Sequence, residues 1–284
     1  MFSLRQAMHK GQAGRIGIIG GSEQYTGAPY FAAISALRTG ADLAWVICDP
    51  SAATPIKSYS PDIIVCPWLN NNREESWHSV LDKLHAVVIG PGLSRSPMLQ
   101  QDAAAWIRKA RKRNIPIIID ADGLFLVQQN LSLVQGYSRC VLTPNAVEFN
   151  RLYEQAKLAD TETDMEQRVH ALASRLKGPI IVRKGEKDII SNGHDILTSS
   201  SLGSMRRVGG QGDILSGVLG TLVAWHYLQK LETTDSPLQS CLLGCNVVRE
   251  CAATTFEQHG RAMITSDMLL NLGSVVQDAL HANL

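Results

Sequence analysis

In the stretch AVVIGPGLS, residues 86–94, a short and wholly apolar run ends abruptly in a Gly-Pro-Gly turn. A short run rich in β-branched residues is typical of a strand buried on both faces, as in a parallel sheet. Similar runs recur along the chain. Strands are predicted at RIGIIG (15–20), LAWVIC (43–48), DIIVC (62–66), AVVIG (86–90), PIIID (116–120), RCVLT (139–143) and PIIVRKG (179–185).

Helical patterns fill intervals between these strands and most of the chain after Gly212. Side chains that favour helix caps stand at Asp122 and Ser266, so we expect caps there. Alternation of strands and helices is typical of a doubly wound α/β fold, in which helices cover both faces of a parallel sheet. The periodicity predicts helices over residues 28–39, 97–113, 146–157 and 164–176.

One segment departs from this alternation. KDIISNGHDILT, residues 187–198, has two alternating runs around Asn192-Gly193, a dipeptide that is a strong signal for a β-hairpin. No linker, internal repeat or low-complexity segment interrupts the pattern. We therefore predict a single α/β domain over residues 1–284, built on a central, mostly parallel sheet.

The composition supports a globular protein and argues against several partners. The 284 residues are 45% hydrophobic and 19% charged, with a formal net charge of +1, so no nucleic-acid surface is indicated. No apolar run approaches the roughly 20 residues of a membrane span. The six cysteines form no C-x-x-C pair and no zinc-type spacing, which indicates free thiols in a reducing compartment.

The amino-terminal stretch MFSLRQAMHKGQAGR is basic and has no acidic residue. It lacks the apolar segment of a secretion signal, and the first predicted strand leaves little room for a cleaved presequence. We expect a mature start and a cytoplasmic protein, while a mitochondrial pool stays open.

Four predicted strands end in polar motifs. In open α/β sheets, ligands bind beyond the carboxyl ends of the strands. Each motif alone is also typical of a turn or a helix start, but four of them on consecutive strands favour one binding site. The motifs are GPGLS (90–94), DADGL (120–124), TPNAVEF (143–149) and KGEKD (184–188).

VGGQGDILSG, residues 208–217, places three glycines and an aspartate before an apolar helical run. Glycines let backbone N–H groups approach phosphate oxygens, and a helix start attracts anions. The chain has no Gly-Lys pair, which excludes a Walker loop, and IGIIGGSEQYTG lacks the dinucleotide-binding spacing. Asp213 has two interpretations here: a base that takes the proton of an acceptor hydroxyl, or a helix cap.

Asn145 and Glu148 form an N-x-x-E pattern at a predicted helix start. Their oxygens suit a hydrated Mg²⁺ ion, and the same spacing suits a capping box, so both interpretations stay open. Lys184, Arg206 and Arg207 are positive charges that could meet a polyphosphate or simply face solvent.

In this order, GPGLS, DADGL, TPNAVEF, KGEKD and RRVGGQGDILSG resemble the motifs of the ATP-dependent NAD(P)H-hydrate dehydratases, a family of the ribokinase-like superfamily. The resemblance runs from about Arg15 to the carboxyl-terminal helix, and the context of GGQGD resembles the eukaryotic branch. It implies a ribokinase-like three-layer α/β/α sandwich, ATP as co-substrate, and Mg²⁺. It also implies a lyase that repairs NADH hydrate and NADPH hydrate: ATP phosphorylates the ring hydroxyl of the S epimer, and loss of phosphate restores the cofactor.

The resemblance also implies the site residues. Asp213 would be the catalytic base and contact the substrate, and Asn145 and Glu148 would hold Mg²⁺ through water. The substrate would contact Gly92, Asn145, Ala146, Val147, Glu148, Phe149, Asn150, Arg151 and Asp213. ATP would contact Lys184, Gly185, Glu186, Lys187, Asp188, Gly203, Ser204, Met205, Arg206, Arg207, Val208, Gly209, Gly210, Gln211 and Gly212.

One position departs from the family's motif. Ser94 stands where a glycine is expected after GPGL, and its side chain could narrow the approach of the substrate. Two alternative functions stay open: a kinase of the same superfamily acting on a vitamin precursor or sugar alcohol, and a non-enzymatic nucleotide sensor. ADP is an alternative phosphoryl donor, and the superfamily's habit of association leaves a homo-oligomer open.

Overall fold

The computed structural model describes residues 9–71, 74–158, 164–229 and 237–281. The strands in these ranges form one sheet in the order β3-β2-β1-β4-β5-β6-β7-β8-β9. Strands β1 to β7 pair in parallel, and β8 pairs antiparallel with both β7 and β9. The strands are β1 (Arg15–Ile19), β2 (Leu43–Ile47), β3 (Ile63–Cys66), β4 (Ala86–Ile89), β5 (Ile117–Ile119), β6 (Cys140–Leu142), β7 (Ile180–Arg183), β8 (Ile189–Ser191) and β9 (Ile196–Thr198).

Helices cover both faces of this sheet. They are α1 (Gly27–Thr39), α2 (Pro50–Tyr59), α3 (Glu74–Leu81), α4 (Pro97–Lys112), α5 (Asp122–Gln129), α6 (Ala146–Gln155), α7 (Met165–Leu176), α8 (Gln211–Leu228), α9 (Leu238–His259) and α10 (Thr265–His281). Ala86 and Val88 of β4 belong to one hydrophobic core, with α1, α2, α8, α9 and α10. Val87 and Ile89 belong to the other, with α3 to α7. Because β4 is buried on both sides, its sequence is apolar throughout.

The predicted elements are confirmed. Every predicted strand and helix is present with small differences at its ends, and β8 and β9 form the hairpin expected around Asn192-Gly193. The sheet with its two helical layers is the predicted three-layer α/β/α sandwich. The sequence analysis did not predict α2 and α3, which are short and lie between the first strands.

The two expected helix caps were wrong. Asp122 lies inside α5, and its Oδ2 accepts a hydrogen bond from Ser94 N at 2.9 Å instead of capping the helix. Helix α10 begins at Thr265, so Ser266 is also inside the helix, and Asp267 Oδ2 accepts from Ile264 N at 2.9 Å. Both residue types are common caps. Asp122 binds a partner distant in sequence instead, and α10 begins one residue before Ser266.

All six cysteines are buried free thiols, as the spacing indicated. None of the described helices has both the length and the apolar character to span a bilayer. Residues 1–8, on which the interpretation of the amino terminus largely depends, lie outside the described residues.

The strand order places the functional motifs side by side. Strands β4, β5, β6 and β7 are consecutive neighbours in the sheet and run in the same direction. Their carboxyl ends therefore meet at one edge, where the four polar motifs begin. The start of α8 lies at the same edge, since a Cβ on Gly212 would lie 3.4 Å from Lys184 Nζ, just after β7.

Candidate active site

A cavity of about 400 Å³ opens at this edge of the sheet. The turn after β7, the loop before α8, and the facing sides of α8 and α9 form its wall. Most of the residues predicted to contact ATP are therefore brought together. The lining residues are Asn145, Lys184, Gly185, Asp188, Gly203, Ser204, Arg207, Val208, Gln211, Gly212, Leu215, Cys245, Val248, Arg249 and Ala252.

The glycine loop leads directly into α8. Gly210 precedes the helix with φ +101°, a left-handed conformation that favours glycine, and no side chain caps the helix start. The first backbone N–H groups of a helix have no partner within the helix. With Gln211 and Gly212 at the cavity wall, these groups suit a phosphate.

Asp213 lies in the first turn of α8 and does not act as its cap. Burial, reinforced by the negative charge of Asp120 and opposed by Lys184, raises the pKa of Asp213 to about 7. A carboxylate with this pKa can take a proton at neutral pH. The capping interpretation of Asp213 is wrong, and the interpretation as a base stays a prediction.

Lys184 forms an ion pair with Asp120, the residue whose negative charge acts on Asp213. Its Nζ donates to Asp120 Oδ1 at 2.8 Å. Burial would lower the pKa of Lys184, but the negative charges of Asp120, Glu148 and Asp213 outweigh burial and raise it. Lys184 is therefore an ammonium ion at the cavity wall, which fits a contact with phosphate.

The N-x-x-E pattern is a capping box. Asn145 Oδ1 accepts from the N–H groups of Val147 at 2.9 Å and Glu148 at 3.0 Å. Glu148 Oε2 accepts in turn from Asn145 N at 2.8 Å. Burial raises the pKa of Glu148, opposed by Lys184. The cap therefore uses the Asn145 oxygen and one oxygen of Glu148.

This donor set fits magnesium only as an ion that arrives with a nucleotide. Among the described residues, no group of three or more His, Cys, Asp or Glu side chains could hold a metal. Mg²⁺ usually keeps several waters and is bound by one or two carboxylates together with substrate phosphates. The second oxygen of Glu148 suits such a water-mediated contact, whereas Asn145 Oδ1 already serves two backbone groups.

A second cavity of about 120 Å³ is lined mainly by residues of α5 and α6. Glu148 and Arg151, both predicted to contact the substrate, line it together with Arg95 and Asp122. Asn145, in contrast, lines the larger cavity. The first turns of α6 therefore take part in both cavities.

The GPGLS turn is fixed next to this second cavity. Gly92 has φ +62°, and its carbonyl oxygen accepts from Ser22 Oγ at 2.9 Å. A Cβ on Gly92 would lie 2.6 Å from Tyr25 O, so only glycine fits. Ser94 adopts φ +70° and binds Asp122 through its backbone N–H. The turn therefore faces the same region as Arg95 and Arg151 but does not line the larger cavity.

The prediction for Phe149 needs correction. Its side chain is fully buried in the core and packs on Tyr153, with ring centroids 5.8 Å apart. It therefore supports α6 and does not face a ligand. Ala146, Val147 and Asn150 are exposed on the same helix, and their substrate contacts stay predictions.

Six residues predicted to contact ATP do not line the cavity. Met205 is 88% exposed, and Arg206 Nη1 donates to the carbonyl of Arg261, just after α9. Gly209 O accepts instead from Thr265 Oγ1. Arg207 does line the cavity, so only one member of the arginine pair lies there. The six residues are Glu186, Lys187, Met205, Arg206, Gly209 and Gly210.

Arg249 is a site residue that the sequence analysis missed. It is 5% exposed, and its Nε and Nη2 donate to both carboxylate oxygens of Asp188 at 2.7 and 3.0 Å. Nη2 also donates to Gly185 O at 2.8 Å, and Nη1 donates to Ser201 O at 3.2 Å and Leu202 O at 3.3 Å. Arg249 thus joins the turn after β7 to the loop before α8.

This arrangement changes the role expected for Asp188. Both of its oxygens bind Arg249, and Oδ1 also accepts from Gly185 N at 3.0 Å. Asp188 therefore shapes the cavity wall through Arg249. The available signal in the sequence was a lone arginine in a helix with cysteines and apolar residues around it.

Comparison with known proteins identifies the family of the chain. Residues 16–272 match the family model described as NAD(P)H-hydrate dehydratase. The ATP-dependent (S)-NAD(P)H-hydrate dehydratase of Pongo abelii is 47% identical over 279 residues, which cover 95% of this chain and 84% of that protein.

Two solved structures share the fold. A ribokinase-like superfamily protein from Enterococcus faecalis has a TM-score of 0.80 and 19% identity, over 98% of this chain and 91% of that one. The ADP/ATP-dependent NAD(P)H-hydrate dehydratase of Bacillus subtilis, co-crystallised with ATP/Mg²⁺, has a TM-score of 0.70 and 19% identity, over 99% and 93%. The fold is therefore ribokinase-like, and the chain belongs to the NAD(P)H-hydrate dehydratase family.

Proposed function

We propose that this protein is a lyase that uses ATP to dehydrate the S epimer of NADH hydrate and NADPH hydrate. The observation that carries the proposal is the start of α8. There Asp213, with a pKa of about 7, directly follows Gly212 at the wall of a nucleotide-sized cavity. Relatives with 47% identity carry the same activity in their names.

The parts of the site match the chemistry of the reaction. Hydroxide is a poor leaving group, so the ring hydroxyl must first become a phosphate ester. Asp213 accepts the hydroxyl proton while the oxygen attacks the γ-phosphorus of ATP, and ADP leaves. The backbone N–H groups at Gln211 and Gly212 and the Lys184 ammonium stabilise the charge on the transferred group.

Loss of phosphate completes the dehydration. The ring nitrogen donates its electron pair, the bond between carbon and the ester oxygen breaks, and inorganic phosphate departs. A proton then leaves the neighbouring ring carbon, and the double bond of the reduced nicotinamide is restored. The sum is one hydrate and one ATP converted to one NAD(P)H, one ADP, one phosphate and one proton.

Magnesium belongs to the proposal as a companion of ATP. A bound Mg²⁺ ion would neutralise charge on the β- and γ-phosphate oxygens. Glu148 is the residue that would hold it, through water. The substrate would lie toward Arg151 and the Gly92 turn, on the side of the smaller cavity.

The alternative functions differ from the dehydratase in their products. A kinase of the same superfamily would leave its product phosphorylated, and a sensor would bind nucleotide without turnover. The structure of a Pyrococcus horikoshii hydroxyethylthiazole kinase has the same fold, with a TM-score of 0.65 and 16% identity. The fold alone therefore does not separate a kinase from a dehydratase, and the product must be measured.

The test is recovery of NADH from purified NADH hydrate. The protein is incubated with the hydrate and ATP, ADP or no nucleotide, and the absorbance of the reduced nicotinamide is followed. We expect recovery with ATP and none without nucleotide, and the rate with ADP decides the choice of donor. A stable phosphorylated product without NADH would support the kinase, and binding without turnover would support the sensor.

A further inference from the structure

A buried carboxylate that the proposed steps leave without a role lies behind the glycine loop. Asp120 follows β5 directly and is only 2% exposed. Its Oδ1 accepts from Lys184 Nζ at 2.8 Å and from Thr143 Oγ1 at 2.8 Å. A buried carboxylate is costly unless it is paired and hydrogen-bonded. These two partners offset the cost of burying Asp120, but they do not explain why a carboxylate lies at this position.

The carboxylate of Asp120 lies next to the backbone of Gly212, in the first turn of α8. A Cβ on Gly212 would lie 3.4 Å from Lys184 Nζ and 3.6 Å from Asp120 Oδ2. The ion pair is therefore packed against the residue that precedes Asp213. Both distances are those of ordinary van der Waals contact, so the pair lies directly behind the backbone at position 212.

The backbone around Asp120 is held in an unfavourable conformation. Ala121 has φ +48° and ψ −122°, a region that residues other than glycine rarely adopt. Neighbouring bonds hold Asp120 on both sides: its N–H donates to Ile89 O at 3.1 Å, and its carbonyl accepts from Gly123 N at 2.9 Å. Such strain persists where the surroundings over-determine the backbone, and it concentrates at functional sites.

We infer that Asp120 is a positioning residue for the reaction: it holds the Lys184 ammonium against the start of α8, where that ammonium meets the transferred phosphoryl group. The inference rests on the proposed function. A lysine side chain is flexible and can adopt many rotamers, so a fixed partner gives its charge one position. Thr143 fixes the partner in turn, with a second bond from its Oγ1 to Ile119 O at 3.2 Å.

Asp120→Asn tests this role, because it removes the charge and keeps the shape. Misplacement of a catalytic group by about 1 Å can cost roughly 10²-fold in rate, so we expect kcat to fall by roughly 10-fold to 100-fold with a smaller change in KM for ATP. The charges of Asp120 and Lys184 shift the pKa of Asp213, and the charge of Glu148 shifts the pKa of Lys184.

The pH profile separates positioning from a purely structural role. The charge of Asp120 raises the pKa of Asp213. In Asp120→Asn the acidic limb of kcat/KM should therefore move to lower pH. An unmoved limb, with a fall in kcat that only follows the loss of folded protein by circular dichroism, would overturn the inference.

Thr143→Val provides a second test if Asp120→Asn folds poorly. The variant keeps the charge of Asp120 but removes one of its hydrogen bonds, so kcat should fall less than in Asp120→Asn. Thr143→Ser keeps the hydroxyl and should restore most of the rate. Equal rates for the valine and serine variants would contradict the inference.

Asp82→Asn is the matched control. Asp82 also forms an ion pair, with Arg113 at 2.6 Å, but it is exposed and lies before β4, at the opposite edge of the sheet. Its variant should keep both rate and pH profile. Wild-type protein that recovers no NADH would refute the proposed function and this inference together, whereas an active wild type with an unaltered Asp120→Asn variant would refute only the inference.

Discussion

Arg249 and Asp188 form a buried, two-pronged ion pair: Nε donates to Oδ2 at 2.7 Å, and Nη2 donates to Oδ1 at 3.0 Å. The side chains are 6% and 9% exposed. Because the same guanidinium binds carbonyls of Gly185, Ser201 and Leu202, the pair connects the turn after β7 to the loop before α8. The shape of the cavity of about 400 Å³ therefore depends on a residue of α9.

Arg249→Met should weaken both ATP binding and folding. Loss of one partner leaves a buried charge unpaired, which costs roughly 3–5 kcal/mol in the free energy of unfolding. We expect a lower melting temperature and a higher KM for ATP, measured by thermal denaturation and steady-state kinetics.

The double variant Asp188→Asn with Arg249→Met separates the effect on ATP binding from the effect on stability. It removes both charges, so stability should return toward that of the wild type. The KM for ATP should stay high, because the bonds to the carbonyls of both segments are still absent. A double variant with a normal KM for ATP would show that the ion pair between Arg249 and Asp188 serves stability alone.

Asp213→Asn should fold and bind ATP but lose most turnover. Removal of a well-placed general base commonly lowers the rate by ~10²–10⁴-fold. NADH recovery under saturating ATP measures the loss, and calorimetric titration with ATP checks binding. Turnover within a few-fold of the wild type would exclude Asp213 as the base.

The same substitution should stabilise the ligand-free protein above acidic pH. The pKa of Asp213 is about 7 in the folded protein, well above the ordinary value of 3.8 for an aspartate carboxyl group. A carboxyl group with a raised pKa contributes most to stability at low pH, and this contribution is lost as the pH rises through about 7. The stability of Asp213→Asn relative to wild type should therefore grow from about pH 4 to about pH 7 and then level off.

Urea denaturation across this range measures the difference. A constant difference between the two proteins at all pH values would mean that Asp213 titrates normally. Asp213 would then have only the weak proton affinity of an ordinary carboxylate, and the argument from burial would fail.

Ser94→Gly should stabilise the protein. Ser94 has φ +70°, a left-handed conformation that costs residues other than glycine roughly 1–2 kcal/mol. Its bonds to Asp122 and Gln100 use the backbone N–H and carbonyl, at 2.9 and 2.6 Å, and glycine retains them. The greater freedom of glycine in the unfolded chain offsets part of the gain, so we expect a net increase of about 0.5–1 kcal/mol.

Ser94→Ala is the matched control for this prediction. Alanine keeps the strained conformation and loses only a weak contact, from Ser96 N to Ser94 Oγ at 3.4 Å. It should bring no gain in the free energy of unfolding. A glycine variant less stable than the alanine variant would contradict the strain argument.

Local pattern predicts most of this fold. The apolar run at 86–90 predicted a buried strand because β4 has helices on both faces. The dipeptide Asn192-Gly193 predicted the hairpin because Gly193 adopts φ +85°. The caps at Asp122 and Ser266 failed, since the true partner of Asp122 lies 28 residues away at Ser94.

The candidate site was harder to predict for the same reason. Asp120 lies in the DADGL motif that marked a strand end, but its partner Lys184 is 64 residues distant. Only the sheet order brings the ends of β5 and β7 near each other. The N-x-x-E pattern fitted both a metal and a cap, and the hydrogen bonds between Asn145 and Glu148 show the cap.

The central claim is that ATP is spent to remove water from the nicotinamide ring. The direct test is the stoichiometry of products with purified NADH hydrate, with Asp213→Asn as the matched control. We predict equal amounts of NADH, ADP and inorganic phosphate from the wild type, and little of any product from the variant. ADP formed together with a stable phosphorylated hydrate, without free phosphate or NADH, would contradict the account.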